Sequence, residues 1–540
     1  MRFHRHRSRV WAATALVAAA SLATTLVAPT GAAAQVEPAT EHDGADCAVP
    51  DPGPSAADPL LPDPFTSLDG TRVSTREEWE CRRAEIHELA ESSVYGEKPA
   101  PPDSVTGTVT SSGITVNVTD QGRSTSFSAS VDLPSGSGPF PAVIVYGGFG
   151  ADTATINAAG AAVISYDPFA VGAEGTSRGN KQGAFYDIYG SSSGTGLLMA
   201  WAWGASRIID VVEQSGGSVL QADATGVTGC SRYGKGALVA GAFDQRIDLT
   251  MPIESGTGGV PVLRGVAQES GAQPLSSAYG EQPWLGDAFG SHTGNPSTLP
   301  VDTHQILGMI APRGLFVMEN PHIDWLGARS GSVAALGGAQ VYQALGAQDN
   351  ISYWSDVQDG THCATRPEWR APLRQSIETF LHGTGEAPGV FRVAPGRSGD
   401  LSEWRDWQTP ALTDGGGGDG GGGDDGGGDD GGGGDDGGTD GACTASYRTV
   451  NSWSGGFQGE VSVRNDGASA LDGWSVGMTL APGQSVGNLW NGVNTGTSGA
   501  VTVRNTPWNG AIAADGAVTF GFVATGDSSA APSGISCTSP

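Results

Sequence analysis

Residues 414–441 constrain this chain more than any other stretch: 18 of the 28 are glycine, nine are aspartate and one is threonine. Such a segment has no apolar surface to bury, so nothing offsets the entropy of ordering it. Glycine makes it flexible and the aspartates repel one another, giving an expected average span of roughly 30 Å. It has no regular Gly-Asp nonapeptide with an apolar position, so it does not read as a calcium-binding repeat. The chain is therefore expected to fold as two units, residues 35–413 and 442–540, on either side of a disordered linker.

Residues 1–34 read as an export signal. Arg2, Arg5, Arg7 and Arg9 form a basic start, residues 10–27 are small and apolar, and Ala32-Ala33-Ala34 precedes Gln35 as a cleavage site. Export implies an oxidising environment, in which the six cysteines are expected to pair. There is no CxxC and no Cys/His cluster at zinc spacing, so no metal or organic cofactor is expected. The formal net charge of -29 argues against nucleic acid or an anionic membrane as partner, since both need a basic face. Uncharged polymers remain open.

In the larger unit, Ser74 with Glu77 forms a capping box opening a helix to about Ser92. Residues 114–118 and 127–133 alternate as a hairpin. Apolar runs and helical stretches then take turns: strands at 142–146, 162–166, 226–229, 315–319 and 351–356, helices at 196–213 and 235–243. This alternation predicts a doubly wound α/β sheet covered on both faces. Residues 443–537 instead carry short alternating runs at 460–464, 475–479, 500–504 and 518–522, separated by Gly, Asn and Pro, and read as a small all-β sandwich.

The strongest chemical signal is Gly229-Cys230-Ser231-Arg232-Tyr233-Gly234-Lys235-Gly236, between an apolar strand and an apolar helix. A serine on such a turn projects its hydroxyl above the sheet, beside the free N–H groups of a helix N-terminus where an oxyanion would develop. The second glycine stands one place later than in the general G-x-S-x-G pattern. His362 follows a strand late in the α/β region, as the base does in the chain order Ser, acid, His; His292, His304 and His322 are competitors. Cys230 adjoins Ser231 and Cys363 adjoins His362, so a Cys230–Cys363 bridge would bring base and nucleophile together. Glu254, at the end of the apolar run 249–253, is well placed to orient an imidazole, with Glu319 and Asp359 as rival acids.

Residues 47–390 resemble the glucuronoyl esterases, carbohydrate esterase family 15. The resemblance is carried by Leu61-Pro62-Asp63-Pro64-Phe65, the Cys-Ser-Arg-x-Gly-Lys elbow with its shifted glycine, Glu254-Ser255-Gly256, Glu281-x-Pro283-Trp284, Ile323-Asp324-Trp325-Leu326-Gly327 and His362-Cys363. It implies an α/β-hydrolase three-layer sandwich, a triad of Ser231, Glu254 and His362, and an oxyanion held by Arg232. It also implies that Lys235, Gln273, Glu281 and Trp325 hold a uronic sugar, and that Cys47 pairs with Cys81. Lys235 can donate to sugar hydroxyls, Glu281 can accept from them, and Trp325 offers a flat apolar face with one N–H donor.

Residues 442–540 resemble carbohydrate-binding module family 2, through Trp453-Ser454-Gly455-Gly456-Phe457, Leu471-Asp472-Gly473-Trp474, Leu489-Trp490 and Thr506-Pro507-Trp508-Asn509-Gly510. Trp474 lies in an alternating strand and is expected in the core. Trp453, Trp490 and Trp508 neighbour turn residues and are expected to stack on the sugar rings of cellulose. A Cys443–Cys537 bridge would tie the two ends of the sandwich. The expectation is a secreted, monomeric serine esterase that cleaves esters between (4-O-methyl-)glucuronic acid of glucuronoxylan and lignin alcohols. An acetyl-xylan or feruloyl esterase, or an inactive carbohydrate-binding protein on the same fold, are the alternatives.

Overall fold

The computed structural model describes residues 40–42, 47–50, 53, 56–414 and 443–539, apart from 454, 455, 491, 507, 508, 515, 528 and 529. The expected signal segment and, apart from Asp414, the expected linker lie outside the described residues. The larger unit is built on one ten-stranded sheet. Its strands are β1 (Ser104–Val109), β2 (Gly113–Asp120), β3 (Arg123–Asp132), β4 (Phe140–Tyr146), β5 (Ala162–Tyr166), β6 (Leu220–Cys230), β7 (Ile247–Ile253), β8 (Gly314–Met318), β9 (Ile351–Trp354) and β10 (Phe391–Arg392). The spatial order is β1-β2-β3-β5-β4-β6-β7-β8-β9-β10. β1, β2, β3 and β5 pair antiparallel, and β5-β4-β6-β7-β8-β9-β10 run parallel.

The central strands are apolar throughout because both faces are covered. Along β4, Ala142, Ile144 and Tyr146 enter one core while Val143 and Val145 enter the other, the period-two alternation of a pleated strand. The first core is closed by the Leu197–Gln214, Arg232–Phe243, Thr303–Ile310 and Ala328–Ala344 helices, with Trp201 and Trp203 fully buried. The second is closed by the Thr153–Ala158 and Pro367–Phe380 helices through Ile156, Trp369, Leu373 and Ile377. The three-layer α/β expectation is met.

Three local readings are corrected. The first capping box is one residue later: Thr75 caps Glu78, and the helix is Arg76–Ala90. Both pairs satisfy the same S/T-x-x-E spacing, and the register is settled by which helix face buries Trp79, Ile86 and Leu89. β1 and β10 were not read from sequence; β1 is mostly exposed and β10 has two residues, so neither carries a strong apolar period. β6 starts at Leu220, six residues before the apolar stretch, because its first part is polar.

The smaller unit is all-β, with strands β11 (Cys443–Trp453), β12 (Gly456–Asn465), β13 (Ser475–Thr479), β14 (Ser485–Trp490), β15 (Val493–Thr495), β16 (Ala500–Arg504), β17 (Ala517–Thr525) and β18 (Ser533–Thr538). They form sheets ordered β11-β12-β17-β14 and β15-β16-β13-β18. Trp474 is in the core: it stacks on Phe520 at 5.5 Å between ring centroids, and its Nε1 donates to the Asn509 carbonyl at 2.7 Å. Cys443 is bridged to Cys537. Trp453 and Trp490 close strands β11 and β14 rather than lying in turns. Their side chains, and all of Trp508, lie outside the described residues.

Candidate active site

Ser231 joins β6 to the Arg232–Phe243 helix with φ 61°, a conformation that costs most residues energy. The shifted glycine follows from close packing at this turn. A Cβ at Gly234 would lie 2.6 Å from the Ile253 carbonyl oxygen on β7, so residue 234 admits no side chain. Residue 233 can be a tyrosine because Gly147, at the end of β4, leaves room for its ring; a Cβ on Gly147 would meet that ring at 2.4 Å.

Among the described residues, four non-glycines have positive φ, and three of them are Ser231, Glu254 and Cys363. Glu254 ends β7 and is wholly buried. Its Oε2 accepts from His362 Nδ1 at 2.7 Å and from the Cys363 N–H at 2.8 Å, while Oε1 accepts from Arg366 Nη2 at 2.6 Å. Cys363 is bridged to Cys230 with 5.8 Å between α-carbons, which ties the residue after His362 to the residue before Ser231. A Glu254 oxygen, a His362 ring nitrogen and both bridge sulfurs lie within 4.8 Å of one another. The sulfurs are spent in the bridge, so this cluster does not offer the thiolates of a metal centre.

The competing residues are engaged elsewhere. His292 Nδ1 pairs with Thr298 Oγ1, His304 Nε2 with the Pro62 carbonyl and His322 Nε2 with the Val357 carbonyl. Asp359 caps the Thr361 N–H from an exposed turn. Glu319 is buried one strand beyond Glu254. Burial, with the adjacent Glu254 carboxylate, pushes its carboxyl up to about 8, against the pull of Lys235.

The four residues expected to hold the sugar gather beside these groups. Gln273 Nε2 donates to Glu281 Oε2 at 2.7 Å, and the Gln273 N–H donates to the Trp325 carbonyl at 3.1 Å. Trp325 is 54 % exposed and meets the His362 ring edge-on at 6.1 Å. Lys235 is buried, donates to the Ser255 carbonyl and lies 5.5 Å from the Trp284 ring. Its ammonium is pulled down to about 8 by burial, opposed by the charges of Glu281 and Glu319.

Two residues at the site were missed in the sequence. Arg366 is the third ligand of the Glu254 carboxylate, also donates to the Thr361 carbonyl at 2.9 Å and stacks over Trp369. Glu174 accepts from Arg232 Nη1 at 2.8 Å and from Trp284 Nε1 at 2.6 Å, and so fixes the guanidinium expected near the oxyanion. Neither lies in a local pattern: Arg366 and Glu174 stand 112 and 58 residues from their charged partners.

Comparison with known proteins shows the family. The fungal glucuronyl esterase family matches residues 116–346, and the cellulose-binding domain family matches residues 443–539. A 4-O-methyl-glucuronoyl methylesterase of Hypocrea jecorina is 38% identical over 376 residues, covering 68% of this chain and 80% of that protein. A serine-to-alanine variant of the Sporotrichum thermophile glucuronoyl esterase, solved with methyl 4-O-methyl-β-D-glucopyranuronate, is 38% identical with a TM-score of 0.63, covering 68% of this chain and 100% of that one. A carbohydrate esterase family 15 glucuronoyl esterase from Caldicellulosiruptor kristjansonii is 30% identical with a TM-score of 0.57, covering 66% and 99%. The chain belongs to the glucuronoyl esterases of carbohydrate esterase family 15, with a cellulose-binding domain of family 2 after it.

Proposed function

We propose that residues 35–413 are a secreted serine esterase that hydrolyses esters between the carboxyl of (4-O-methyl-)D-glucuronic acid in glucuronoxylan and lignin alcohols, tethered through residues 414–441 to a cellulose-binding module at 442–540. The observation that carries this reading is the Glu254–His362 hydrogen bond, held next to Ser231 by the Cys230–Cys363 bridge. A carboxylate at Nδ1 fixes the imidazole tautomer and leaves Nε2 as the base. Ser231 Oγ attacks the ester carbonyl as His362 takes its proton. The tetrahedral oxyanion is stabilised by Arg232, which Glu174 and Trp284 hold in place. The bond to the alcohol oxygen then breaks, and that oxygen leaves with the proton from His362. Water, deprotonated by His362, attacks the acyl-serine; the bond to Ser231 Oγ breaks, His362 returns the proton to that oxygen, and the uronic acid is released.

Lys235, Gln273, Glu281 and Trp325 hold the sugar, with donors, acceptors and a flat apolar face matched to a pyranose. Trp453, Trp490 and Trp508 bind cellulose. The enzyme works as a monomer. Hydrolysis of benzyl D-glucuronate tests the reading. Ser231→Ala should lose several orders of magnitude in kcat, since triad members act as a unit, while still adsorbing to cellulose. A variant keeping a tenth of the wild-type rate would remove Ser231 from its role, and faster hydrolysis of acetylated xylan than of glucuronate esters would favour the acetyl-xylan alternative.

A further inference from the structure

Among the described residues, three large hydrophobic side chains stand well exposed, and two of them, Phe149 at 57 % and Trp325 at 54 %, belong to the esterase unit. Trp325 faces His362 on the sugar side. Phe149 has no role in the scheme above. It sits in Gly147-Gly148-Phe149-Gly150, directly after β4, where all three glycines have positive φ. This backbone is pressed onto the centre of the site. A Cβ at Gly150 would lie 2.6 Å from Cys230 Cβ and 2.9 Å from Cys363 Cβ, and one at Gly147 would strike the Tyr233 ring. The glycines thus let the loop lie against the bridge between nucleophile and base while Phe149 turns to solvent.

The order of the strands separates the two halves of an ester substrate. β4 neighbours β6 on one side, and β7 and β8 follow β6 on the other. Gln273 and Glu281 follow β7, and Trp325 follows β8. The acyl half, carrying the sugar, therefore lies on the β7–β8 side of Ser231. The alcohol half must leave where His362 can protonate it, next to the Cys363 backbone that Gly150 touches. We infer that Phe149 is the apolar platform of an aryl subsite for the alcohol half of the ester, making it a specificity-determining residue for aromatic over small alkyl alcohols. An exposed phenyl ring gains an offset or edge-on partner only when an arylalkyl ester binds; a methyl ester supplies none.

The inference rests on the esterase reading, and its test separates the two. The measurement is kcat/KM for benzyl and for methyl D-glucuronate, which includes departure of the alcohol, in wild type, Phe149→Ala and Phe149→Tyr. Phe149→Ala should lower the benzyl-to-methyl ratio about fivefold, the size of one aromatic contact. Phe149→Tyr should keep the ratio within about twofold, because it retains the ring face. Because the side chain is exposed, its removal should leave the melting temperature near that of wild type. A Phe149→Ala ratio equal to the wild-type ratio, with both esters still cleaved, would overturn the aryl subsite alone. Wild-type protein that cleaves neither ester would overturn the esterase reading beneath it.

Discussion

Glu254 and Glu319 occupy matching places, each the first residue past neighbouring parallel strands, and each wholly buried. The backbone repeats itself: the Glu254 N–H donates to the Met318 carbonyl, and the Glu319 N–H donates to the Trp354 carbonyl. Their side chains meet different fates. Glu254 receives a guanidinium, an imidazole and a backbone N–H. Glu319 is left with Lys235 as its cation, and its carboxyl is pushed up to about 8. At Glu319 burial disfavours the charged form, and no such close set of donors surrounds it. The difference teaches that position on the sheet does not settle a carboxylate's surroundings. In the proposed mechanism the acid is set by the partners that the loop after β9 brings to Glu254.

The comparison can be broken at three points. The largest effect is expected from the bridge that anchors that loop. Replacing Cys230 and Cys363 by Ser opens a loop with a sequence separation of 133, worth about 5 kcal/mol in the chain-entropy model. It also removes the anchor that holds the Cys363 N–H against Glu254. Chemical denaturation should show a large loss of stability, with activity lost at temperatures the wild type tolerates; a double variant as stable and active as wild type would contradict this role. Next comes Arg366→Met, which removes the buried cation from Glu254. Here kcat should fall by about 100-fold, the cost of a misplaced catalytic group, with KM little changed. Arg366→Lys should recover part of the loss, as a purely structural role would not require.

The smallest effect concerns Glu319 itself. A carboxyl pushed from 4.5 to about 8 keeps its proton in the folded state over a range where the unfolded chain has lost it. The folded protein then binds more protons, so this group makes stability fall as pH rises from 4.5 to about 8. Glu319→Gln should remove that component and flatten the melting temperature against pH in this window. An unchanged slope would mean that Glu319 is already ionised when folded.

The sequence made the strand ends legible and left their partners illegible. The elbow, the apolar run before Glu254 and the strand before His362 are local patterns, and each appears where the alternation of apolar runs puts it. Glu254, Glu319 and Asp359 could not be ranked from the residues alone, because the choice depends on Arg366, which reaches Glu254 across 112 residues. Glu174 was invisible for the same reason. A charge whose partner is distant in sequence leaves no period or spacing to read. Resemblance to a family supplied the residues proposed to hold the sugar, which share no local pattern in the sequence. The capping box shows the reverse limit: the local signal was present, and tertiary burial of Trp79 chose between two equivalent registers.

The account stands most directly on one kinetic comparison: initial rates of benzyl D-glucuronate hydrolysis by wild type, Glu254→Gln and Glu319→Gln at one pH near neutrality. Glu254→Gln should lose on the order of 10³-fold or more in kcat, as when a triad acid is neutralised. Glu319→Gln, an exchange of a protonated carboxyl for an amide of the same shape, should stay within about threefold of wild type. Loss of activity that follows Glu319 and spares Glu254 would contradict the account.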